Sequence, residues 1–310
     1  ELRRFKYSNA LATGALAAGG TLGILIPPSV ILVIYAVLVE ANIATMFLAA
    51  FIPGFIAAIG YIVVVMIYVR ISPDAGPAGD RSTATERFAA LKQIWTVILI
   101  FIVVIGGIYT GVFTPTEGAA FGAIGTGAMA YFHGGMRKDG FIESVLGAGQ
   151  TTGMIFLIVL GADVLNVFLA LTQLPQELAA MILEAELTPM VVLIIILVFY
   201  VIGGCVMDSL SMILLTVPIF WPILAEMDFG MDAEDVKVWF GIVALIVVET
   251  GLITPPVGMN VFVINSMAKD IPIGQTFKGV TPFIVSDVVR VGLLVAFPGI
   301  TLVLVKLFGN

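Results

Sequence analysis

Long apolar runs separated by short polar segments make up most of the chain. A helix needs roughly 20 consecutive apolar residues to cross the hydrocarbon core of a bilayer. The pattern therefore predicts an all-α polytopic membrane protein, in which no polar stretch is long enough to form a soluble domain. The predicted elements are spans at 43–68, 94–108, 116–132 and 152–171, an interfacial helix at 141–149, an amphipathic link at 269–278 and a final span that ends near 306.

Two further apolar elements are each interrupted by a Pro-Pro pair. They are 8–40, with Gly23, Pro27 and Pro28, and 238–267, with Gly251, Pro255 and Pro256 at the same spacing. Proline lacks the N–H of a helical hydrogen bond and disfavours helix at the residue before it. Each element is therefore predicted to be two half-helices joined by an unwound segment, with a proline-kinked structural helix as the alternative.

Matched broken helices in two parts of a membrane chain indicate the binding site of a secondary transporter. The carbonyls that end each first half-helix suit Na⁺, whereas the N–H groups that begin each second half-helix suit a substrate carboxylate. Pro28 and Pro256 fit the first turn of the second half-helices. Polar side chains near the breaks can complete such sites or bind their own helices: Thr21, Ser29, Glu249, Thr250, Thr254 and Asn260.

A third irregular segment surrounds Asp208 and Ser209. It lies between two apolar arms that are shorter than the roughly 20 residues a full membrane span needs. We therefore predict a re-entrant hairpin at about 203–225 with these two residues near its tip. Irregular backbone at membrane depth is tolerated only where it is buried in protein or lines a cavity.

Four acids fall within the apolar elements, where a charge is costly unless it is paired, faces a cavity or is functional. They are Asp163, Asp208, Glu249 and Asp287. Asp208 is the strongest functional candidate, and Glu249 is either functional or a structural hydrogen-bonding group. Asp163 shares a helix face with Asn166, as a functional or a structural pair. Asp287 lies one turn from Arg290, which predicts a structural ion pair.

Composition supports a membrane protein and excludes other classes. The chain is 60% hydrophobic and 11% charged, whereas soluble domains are about 25% charged. There is no basic patch for nucleic acid, and the single cysteine, Cys205, excludes an internal disulfide framework and a cysteine-based metal site. No catalytic motif indicates an enzyme.

Charges in the loops predict the orientation of the chain. The loops at 70–92 and 137–138 carry Arg70, Arg81, Arg87, Lys92, Arg137 and Lys138, and the positive-inside rule places them in the cytoplasm. The turn between them then lies on the periplasmic side, where Thr114 or Thr116 is expected to cap a helix with Glu117 in its first turn. Acidic loops are predicted at 172–188 and 226–237.

Several motifs together resemble the large membrane subunit of TRAP transporters, the tripartite ATP-independent periplasmic systems of bacteria and archaea. They occur in family order over essentially the whole chain, at 19–29, 113–117, 207–208 and 251–260. The resemblance implies an elevator-type fold of the ion transporter superfamily, with two inverted repeats that each contain a re-entrant hairpin and a broken helix. It also implies Na⁺-driven uptake of an organic acid across the inner membrane, without a cofactor besides the coupling ion.

The resemblance further implies two protein partners: a small four-helix membrane subunit, and a periplasmic binding protein that delivers the acid. Family members have a further N-terminal part, so we expect this chain, which begins without Met, to be N-terminally truncated. The expected organisation is one permease domain at 1–310. It consists of the first repeat's broken helix at 1–42, spans and cytoplasmic loops at 43–140, and the second repeat at 150–310, with its hairpin at about 203–225 and its broken helix at about 238–268.

Two sets of site residues follow from the motifs. The expected Na⁺ ligands are Gly20, Thr21, Gly23, Asp208, Ser209, Glu249, Thr250, Gly251 and Thr254. The expected substrate-binding residues are Pro28, Ser29, Pro256, Gly258 and Asn260. Two other functions stay open: a proton-coupled organic-anion permease or antiporter that uses Asp163, Asp208 or Glu249, and a non-transporting membrane scaffold. The acid itself is not predicted, since C4-dicarboxylates, sialic acids and 2-oxo acids all fit.

Overall fold

The computed structural model describes residue 2, residues 5–77 and residues 83–308, and all regular structure in this part of the chain is helical. The helices are α1 (Asn9–Leu25), α2 (Val30–Leu38), α3 (Ile43–Ile71), α4 (Ala84–Tyr109), α5 (Pro115–Phe132), α6 (Lys138–Thr172), α7 (Leu174–Glu184), α8 (Pro189–Gly204), α9 (Ser209–Ala225), α10 (Ala233–Gly251), α11 (Met259–Met267), α12 (Ile273–Ala296) and α13 (Gly299–Phe308), with a 3-10 helix at Pro73–Ala75. Arg81 of the predicted cytoplasmic loop lies outside the described residues.

The chain forms two compact units. The first contains residues 1–78 and 162–310, and the second contains residues 79–161. Both Pro-Pro elements, α1–α2 and α10–α11, belong to the first unit, together with the helices that follow them, α3 and α12, and the pair α8–α9. The second unit comprises α4, α5 and most of α6.

Three helices in the described part of the chain are long and apolar enough to cross a membrane: α3, α6 and α12. The number rises to five if each of two bent pairs counts as one span. One pair is α1–α2, and the other is the two parts of α4 before and after residue 93, which are bent by 54° relative to each other. These lengths agree with the predicted helical membrane protein. Helix α10 is not among the candidates, and its 19 residues include four charged side chains, most of them near its start.

Both Pro-Pro elements are broken, as predicted. Helix α1 ends at Leu25 and α2 begins at Val30, with a bend of 47° between them. Helix α10 ends at Gly251 and α11 begins at Met259. Residues 26–29 are referred to below as the first break, and residues 252–258 as the second break.

Capping boxes begin two helices of the second unit. Thr83 and Glu86 exchange hydrogen bonds at the start of α4, which therefore begins well before the predicted span at 94. Thr114 and Glu117 form the same motif at the start of α5, which confirms the predicted cap at Thr114. A Ser or Thr followed three residues later by Glu is the sequence signal for both.

The prediction is wrong for two segments that are helical in the structure. Helix α6 is continuous from Lys138 to Thr172, so the separate interfacial helix at 141–149 does not exist. Glycine and polar residues weaken a helix by no more than about 1 kcal/mol each, and this segment has no proline to end it. The predicted acidic loop at 172–188 contains α7, whose first turn includes Glu177, a favourable residue at a helix N-terminus.

Helix boundaries near the C-terminus also differ from the prediction. Helix α10 begins inside the predicted acidic loop at 226–237, with Glu234 and Asp235 in its first turn. The predicted link at 269–278 is partly the start of α12. The final span is interrupted between α12 and α13 at Phe297 and Pro298, because proline removes a helical donor.

Glycines bring helices of the first unit into close contact. A Cβ on Gly14 of α1 would overlap the backbone of Gly279 of α12. Small residues permit such approach between membrane helices. Tyr35 of α2 packs on Gly241 of α10, and its hydroxyl donates to the Lys237 carbonyl at 2.7 Å. This contact ties the second half of one broken element to the first half of the other.

Candidate functional site

The first break passes through Pro27-Pro28, whose peptide bond is cis. Ser29 follows it and caps α2, since its hydroxyl accepts the Leu32 N–H at 3.4 Å. Ser29 is buried, whereas Pro28 is exposed. The predicted substrate residues Pro28 and Ser29 therefore stand at the N-terminus of α2, and the Ser29 oxygen already serves its own helix.

The prolines leave two carbonyls at the end of α1 without their helical partners. In an α-helix each carbonyl accepts the N–H four residues later, and positions 27 and 28 are prolines. The carbonyls of Gly23 and Ile24 therefore have no such N–H available. Gly23 is exposed, and a Cβ there would meet nothing within 4 Å. The Gly23 side of α1 is thus open near the helix end, whereas Leu25 is buried and its carbonyl oxygen lies near Gly54 of α3.

The second break replaces the hydrogen bonds that its prolines remove. Pro255-Pro256, also joined by a cis peptide bond, cannot donate to the carbonyls of Gly251 and Leu252. The Thr254 N–H donates to the Gly251 carbonyl at 2.9 Å instead, and the Asn260 N–H donates to the Leu252 carbonyl at 3.0 Å. The second break is thus a hydrogen-bonded turn, unlike the first.

Helices α8 and α9 form a hairpin. The Thr216 hydroxyl of α9 donates to the Tyr200 hydroxyl of α8 at 2.9 Å, and Met212 packs directly over Gly203. The first arm is the whole of α8, so the hairpin begins at Pro189. Residues 205–208, referred to below as the hairpin tip, include Asp208 as expected. Re-entry of this hairpin into the membrane stays a prediction.

The hairpin tip lies against the second break. The Gly258 N–H donates to the Cys205 carbonyl at 3.2 Å, and Gly258 has a φ of +63°, which favours glycine. A Cβ on Gly251 would lie 2.8 Å from backbone atoms of Gly204. Contact between these two glycines brings the end of α8 onto the end of α10.

Ser209 and Glu249, two predicted Na⁺ ligands, are brought together here. Glu249 is 0% exposed, and its Oε1 accepts a hydrogen bond from the Ser209 hydroxyl. Its Oε2 is buried and has no hydrogen-bond partner among the described residues. A buried polar atom without a partner is costly, so this oxygen is available to bind a cation or a proton.

Asp208 caps helix α9. Its Oδ1 accepts the Ser211 N–H at 3.0 Å, and its Oδ2 accepts the Ser211 hydroxyl at 2.6 Å. Aspartate is among the preferred residues for this position. The structure therefore gives a structural task to the strongest candidate from the sequence, and its role as an ion ligand stays a prediction.

Helix α11, which follows the second break, meets an open face of α1 at Asn260. The Asn260 Nδ2 lies 3.6 Å from the place that a Cβ on Gly20 would occupy. Gly19 and Gly23 have no atom within 4 Å of the corresponding places. These three glycines form a face of α1, referred to below as the glycine face, on which a ligand can approach the backbone closely.

A buried apolar cluster fixes this arrangement. Ala17 and Ala18 of α1 pack in one cluster with Ile253 of the second break and Val261 of α11. Tyr61, Val280 and Phe283 complete the cluster. Packing of this kind has few voids and resists displacement, so the glycine face and the second break have a defined relative position.

A chain of polar contacts begins at Thr21, which is 1% exposed. The Thr21 and Tyr61 hydroxyl oxygens are 3.1 Å apart, and the Tyr61 hydroxyl donates to Asp287 Oδ2 at 2.8 Å. Asp287 Oδ1 lies 2.9 Å from Arg290 Nη2, which confirms the predicted ion pair. Sequence analysis missed Tyr61, because a contact between residues so far apart leaves no periodic signal.

The other two predicted threonines donate to backbone carbonyls of α10. Thr250 donates to the Ile246 carbonyl at 2.8 Å, and Thr254 donates to the Thr250 carbonyl at 2.6 Å. Both are within one turn of the second break. Asp163 is exposed on α6 and takes part in none of these contacts, and the Asn166 Oδ1 has no hydrogen-bond partner in the described part of the chain.

Comparison with known proteins gives a family match and curated relatives. A family model described as the tripartite ATP-independent periplasmic transporter, DctM component, matches residues 1–300. The C4-dicarboxylate TRAP transporter large permease protein DctM of Pseudomonas aeruginosa is 33% identical over 307 residues, which cover 99% of this chain and 70% of that protein.

Two further relatives carry other names. The sialic acid TRAP transporter large permease protein SiaM of Vibrio cholerae is 34% identical over 310 residues, covering 99% of this chain and 70% of that protein. The isethionate TRAP transporter permease protein DctMQ of Oleidesulfovibrio alaskensis is 29% identical over 279 residues, covering 90% of this chain and 43% of that protein.

Proposed function

Because the chain belongs to the DctM component family of tripartite ATP-independent periplasmic transporters, we propose that it is a permease for secondary active uptake of an organic acid. The observation that carries this proposal is the packing of the hairpin tip on the second break, and of the second break and α11 on α1 beside the glycine face. A membrane scaffold with simple proline kinks does not require these contacts.

Na⁺ is the proposed coupling ion, because the site presents oxygen atoms, which hard cations prefer. The end of α1 before the first break offers the carbonyls of Gly23 and Ile24, at the negative end of the α1 dipole, and Thr21 is a further proposed contributor. The second break and the hairpin offer Glu249 Oε2 next to Ser209. The other proposed contributors are Gly20, Asp208, Thr250, Gly251 and Thr254.

The substrate carboxylate is proposed to lie along the glycine face, near the N-termini of α2 and α11. First-turn N–H groups carry partial positive charge and bind anions, and the Asn260 amide is a further donor. Pro28, Ser29, Pro256 and Gly258 border this place. The relatives are named for C4-dicarboxylates, sialic acid and isethionate, all of them organic anions, which supports an anionic substrate.

An elevator mechanism is proposed, in which the first unit carries the site as one body and the second unit is the static scaffold. The fully buried polar and charged residues of the described chain support this division, since all of them belong to the first unit. The proposed partners are a small four-helix membrane subunit and a periplasmic binding protein. The proposed location is the bacterial or archaeal inner membrane.

Uptake by proteoliposomes tests the proposal. The full-length permease, reconstituted with its membrane partner and supplied with its binding protein, is assayed with radiolabelled succinate and with sialic acid. We expect accumulation of one of these acids when NaCl is outside and none when choline chloride replaces it, because the Na⁺ gradient supplies the driving force. Equal accumulation in both salts would exclude Na⁺ as the coupling ion.

A proton-coupled permease is the second candidate, favoured by the unpartnered Oε2 of buried Glu249. It predicts accumulation in choline chloride when the outside is more acidic than the inside. Under that mechanism Glu249→Gln abolishes the response to the pH gradient. Accumulation that follows Na⁺ and ignores an imposed pH gradient excludes this candidate.

A further inference from the structure

The buried charges of the first unit do not balance. The fully buried charged residues of the described chain are Glu249, Asp287 and Arg290, which are 0%, 1% and 4% exposed. A charge inside a protein or a membrane is costly unless an opposite charge accompanies it. Two carboxylates and one guanidinium leave this set with one uncompensated negative charge.

Helices α10 and α12, which carry these residues, run antiparallel. Near the start of α10, the Trp239 indole N–H donates to the carbonyl of Leu294, near the end of α12, at 2.9 Å. Just after the end of α10, Ile253 packs in one buried cluster with Phe283, in the first half of α12. The two contacts occur in opposite order along the two helices, and together they fix the alignment of α10 with α12.

This alignment places the two carboxylates at the same level. Glu249 comes four residues before Ile253, and Asp287 comes four residues after Phe283. Each carboxylate residue is therefore about 6 Å along its helix from the shared cluster, in the direction of the hydrogen bond that joins the two helices. The Glu249 and Asp287 carboxylates accordingly repel each other.

Glu249 has the free oxygen of this set. Its Oε2 has no hydrogen-bond partner among the described residues. Asp287 has both oxygens in contact with other groups, since Oδ1 lies 2.9 Å from Arg290 Nη2 and Oδ2 accepts the Tyr61 hydroxyl at 2.8 Å. A compensating cation therefore finds its free ligand at Glu249.

We infer that the Asp287–Arg290 pair sets the affinity of Glu249 for its cation through charge, without contacting the cation. This inference rests on the proposed Na⁺ coupling. Asp287 attracts a cation at Glu249 and Arg290 repels it, and water screens these interactions little because all three groups are buried. The pair as a whole is neutral, so one Na⁺ balances the buried charge. A second uncompensated negative charge would hold the ion too tightly for release in every turnover.

The two single substitutions of the pair are expected to shift the Na⁺ affinity in opposite directions. The full-length permease with its membrane partner is titrated with NaCl at constant ionic strength against choline chloride, and the half-saturating Na⁺ is taken from the rise in melting temperature. We expect Asp287→Asn to raise the half-saturating Na⁺ by about tenfold, because Arg290 is left to repel the cation. Arg290→Gln is expected to lower it by about tenfold, because Asp287 is left to attract the cation.

The double variant Asp287→Asn/Arg290→Gln separates charge from structure. It has the same net buried charge as the wild type, and replacement of both members of a buried ion pair is often tolerated. We expect its half-saturating Na⁺ to return to the wild-type value. A purely structural role for the pair predicts weaker Na⁺ binding in both single variants and no recovery in the double variant.

Asp235→Asn is the matched control. Asp235 also forms an ion pair, with Lys306 at 2.9 Å, but it precedes Glu249 by 14 residues, or about 21 Å along α10. That distance exceeds the screening length of about 8 Å at physiological ionic strength, so we expect no change in the half-saturating Na⁺. An equal rise in Asp235→Asn and Asp287→Asn would contradict the inference, since it would show an effect of overall charge.

The outcomes separate the inference from the proposed function. If the wild type shows no Na⁺-dependent stabilisation, Na⁺ coupling is wrong, and the inference is wrong with it. If the wild type responds and the two single variants shift the half-saturating Na⁺ in the same direction or not at all, the inference alone is wrong. Should one single variant fail to fold because its partner is left unpaired, the comparison of the other with the double variant decides the question.

Discussion

Asp208 and Glu249 are two carboxylates with different tasks at the same place. Asp208 uses both oxygens to bind Ser211 and begin α9, whereas Glu249 keeps Oε2 without a hydrogen-bond partner in the described part of the chain. A carboxylate can therefore lie beside a site and still have both of its oxygens occupied by other hydrogen bonds. The free oxygen of Glu249 makes it the stronger candidate of the two for binding a cation.

Asp208→Asn separates capping from ion binding at this residue. Asparagine caps as well as aspartate, so we expect the melting temperature to stay unchanged. The loss of a negative charge is expected to raise the half-saturating Na⁺ in uptake by about threefold, the change that corresponds to a weak, partly screened charge interaction. Asp208→Ala, which loses the cap too, is expected to cost about 1 kcal/mol of stability. Unchanged Na⁺ dependence in Asp208→Asn would restrict this residue to capping.

Single residues also show what the sequence can reveal. The partnerless carbonyls of Gly23 and Ile24 follow from the positions of two prolines, because the missing N–H groups are a property of the sequence itself. The contact of Tyr61 with Asp287 depends on how α3 packs against α12, and no local pattern encodes it. The free oxygen of Glu249 likewise depends on which groups packing places around it.

At the scale of elements, the two breaks have the same prolines and different surroundings. The second break is closed by hydrogen bonds and covered by the hairpin tip, whereas α1 has an open side at Gly23 just before the first break. Sequence analysis predicted both breaks, because two adjacent prolines remove two consecutive helical donors, whereas the separate prolines inside α3, α9 and α12 do not end those helices. It wrongly divided α6, because glycine and polar residues end a helix only in some contexts.

Gly251→Ala tests the contact between the hairpin and the second break. The added methyl group would lie 2.8 Å from the Gly204 backbone, and overpacking of this kind typically costs about 1–3 kcal/mol. We expect a lower melting temperature and weaker uptake. Gly292→Ala on α12 is the control, since a Cβ there meets nothing within 4 Å and alanine favours helix. Equal stability of the two variants would contradict the close packing of α8 on α10.

At the scale of the whole molecule, the hairpin and the buried polar and charged residues of the described chain belong to the first unit. The division into two units leaves no linker signal in the sequence near residue 161, because α6 is continuous through that point. Hydrophobic pattern alone cannot separate units that share a helix. Membrane class and the family resemblance were predictable because they depend on composition and on short motifs.

Cys205 gives a readout of hairpin movement in the whole transporter. It is 4% exposed at the hairpin tip, and its carbonyl binds the second break. A ligand that stabilises this contact lowers the population of the opened tip. We therefore expect a membrane-permeant maleimide to label Cys205 at least about threefold more slowly in NaCl than in choline chloride. Cys205→Ser is the control for labelling elsewhere, and equal rates in the two salts would contradict a Na⁺-stabilised tip.

The prolines at positions 27 and 28 also bear on how fast a bound ion can come and go. A cation that binds the Gly23 and Ile24 carbonyls has no helical N–H group to displace, since positions 27 and 28 are prolines. At the second break it would first have to displace the N–H groups of Thr254 and Asn260. Loading and unloading at the first break thus need no exchange of the protein's own hydrogen bonds, which suits a carrier that must empty its site once in every turnover.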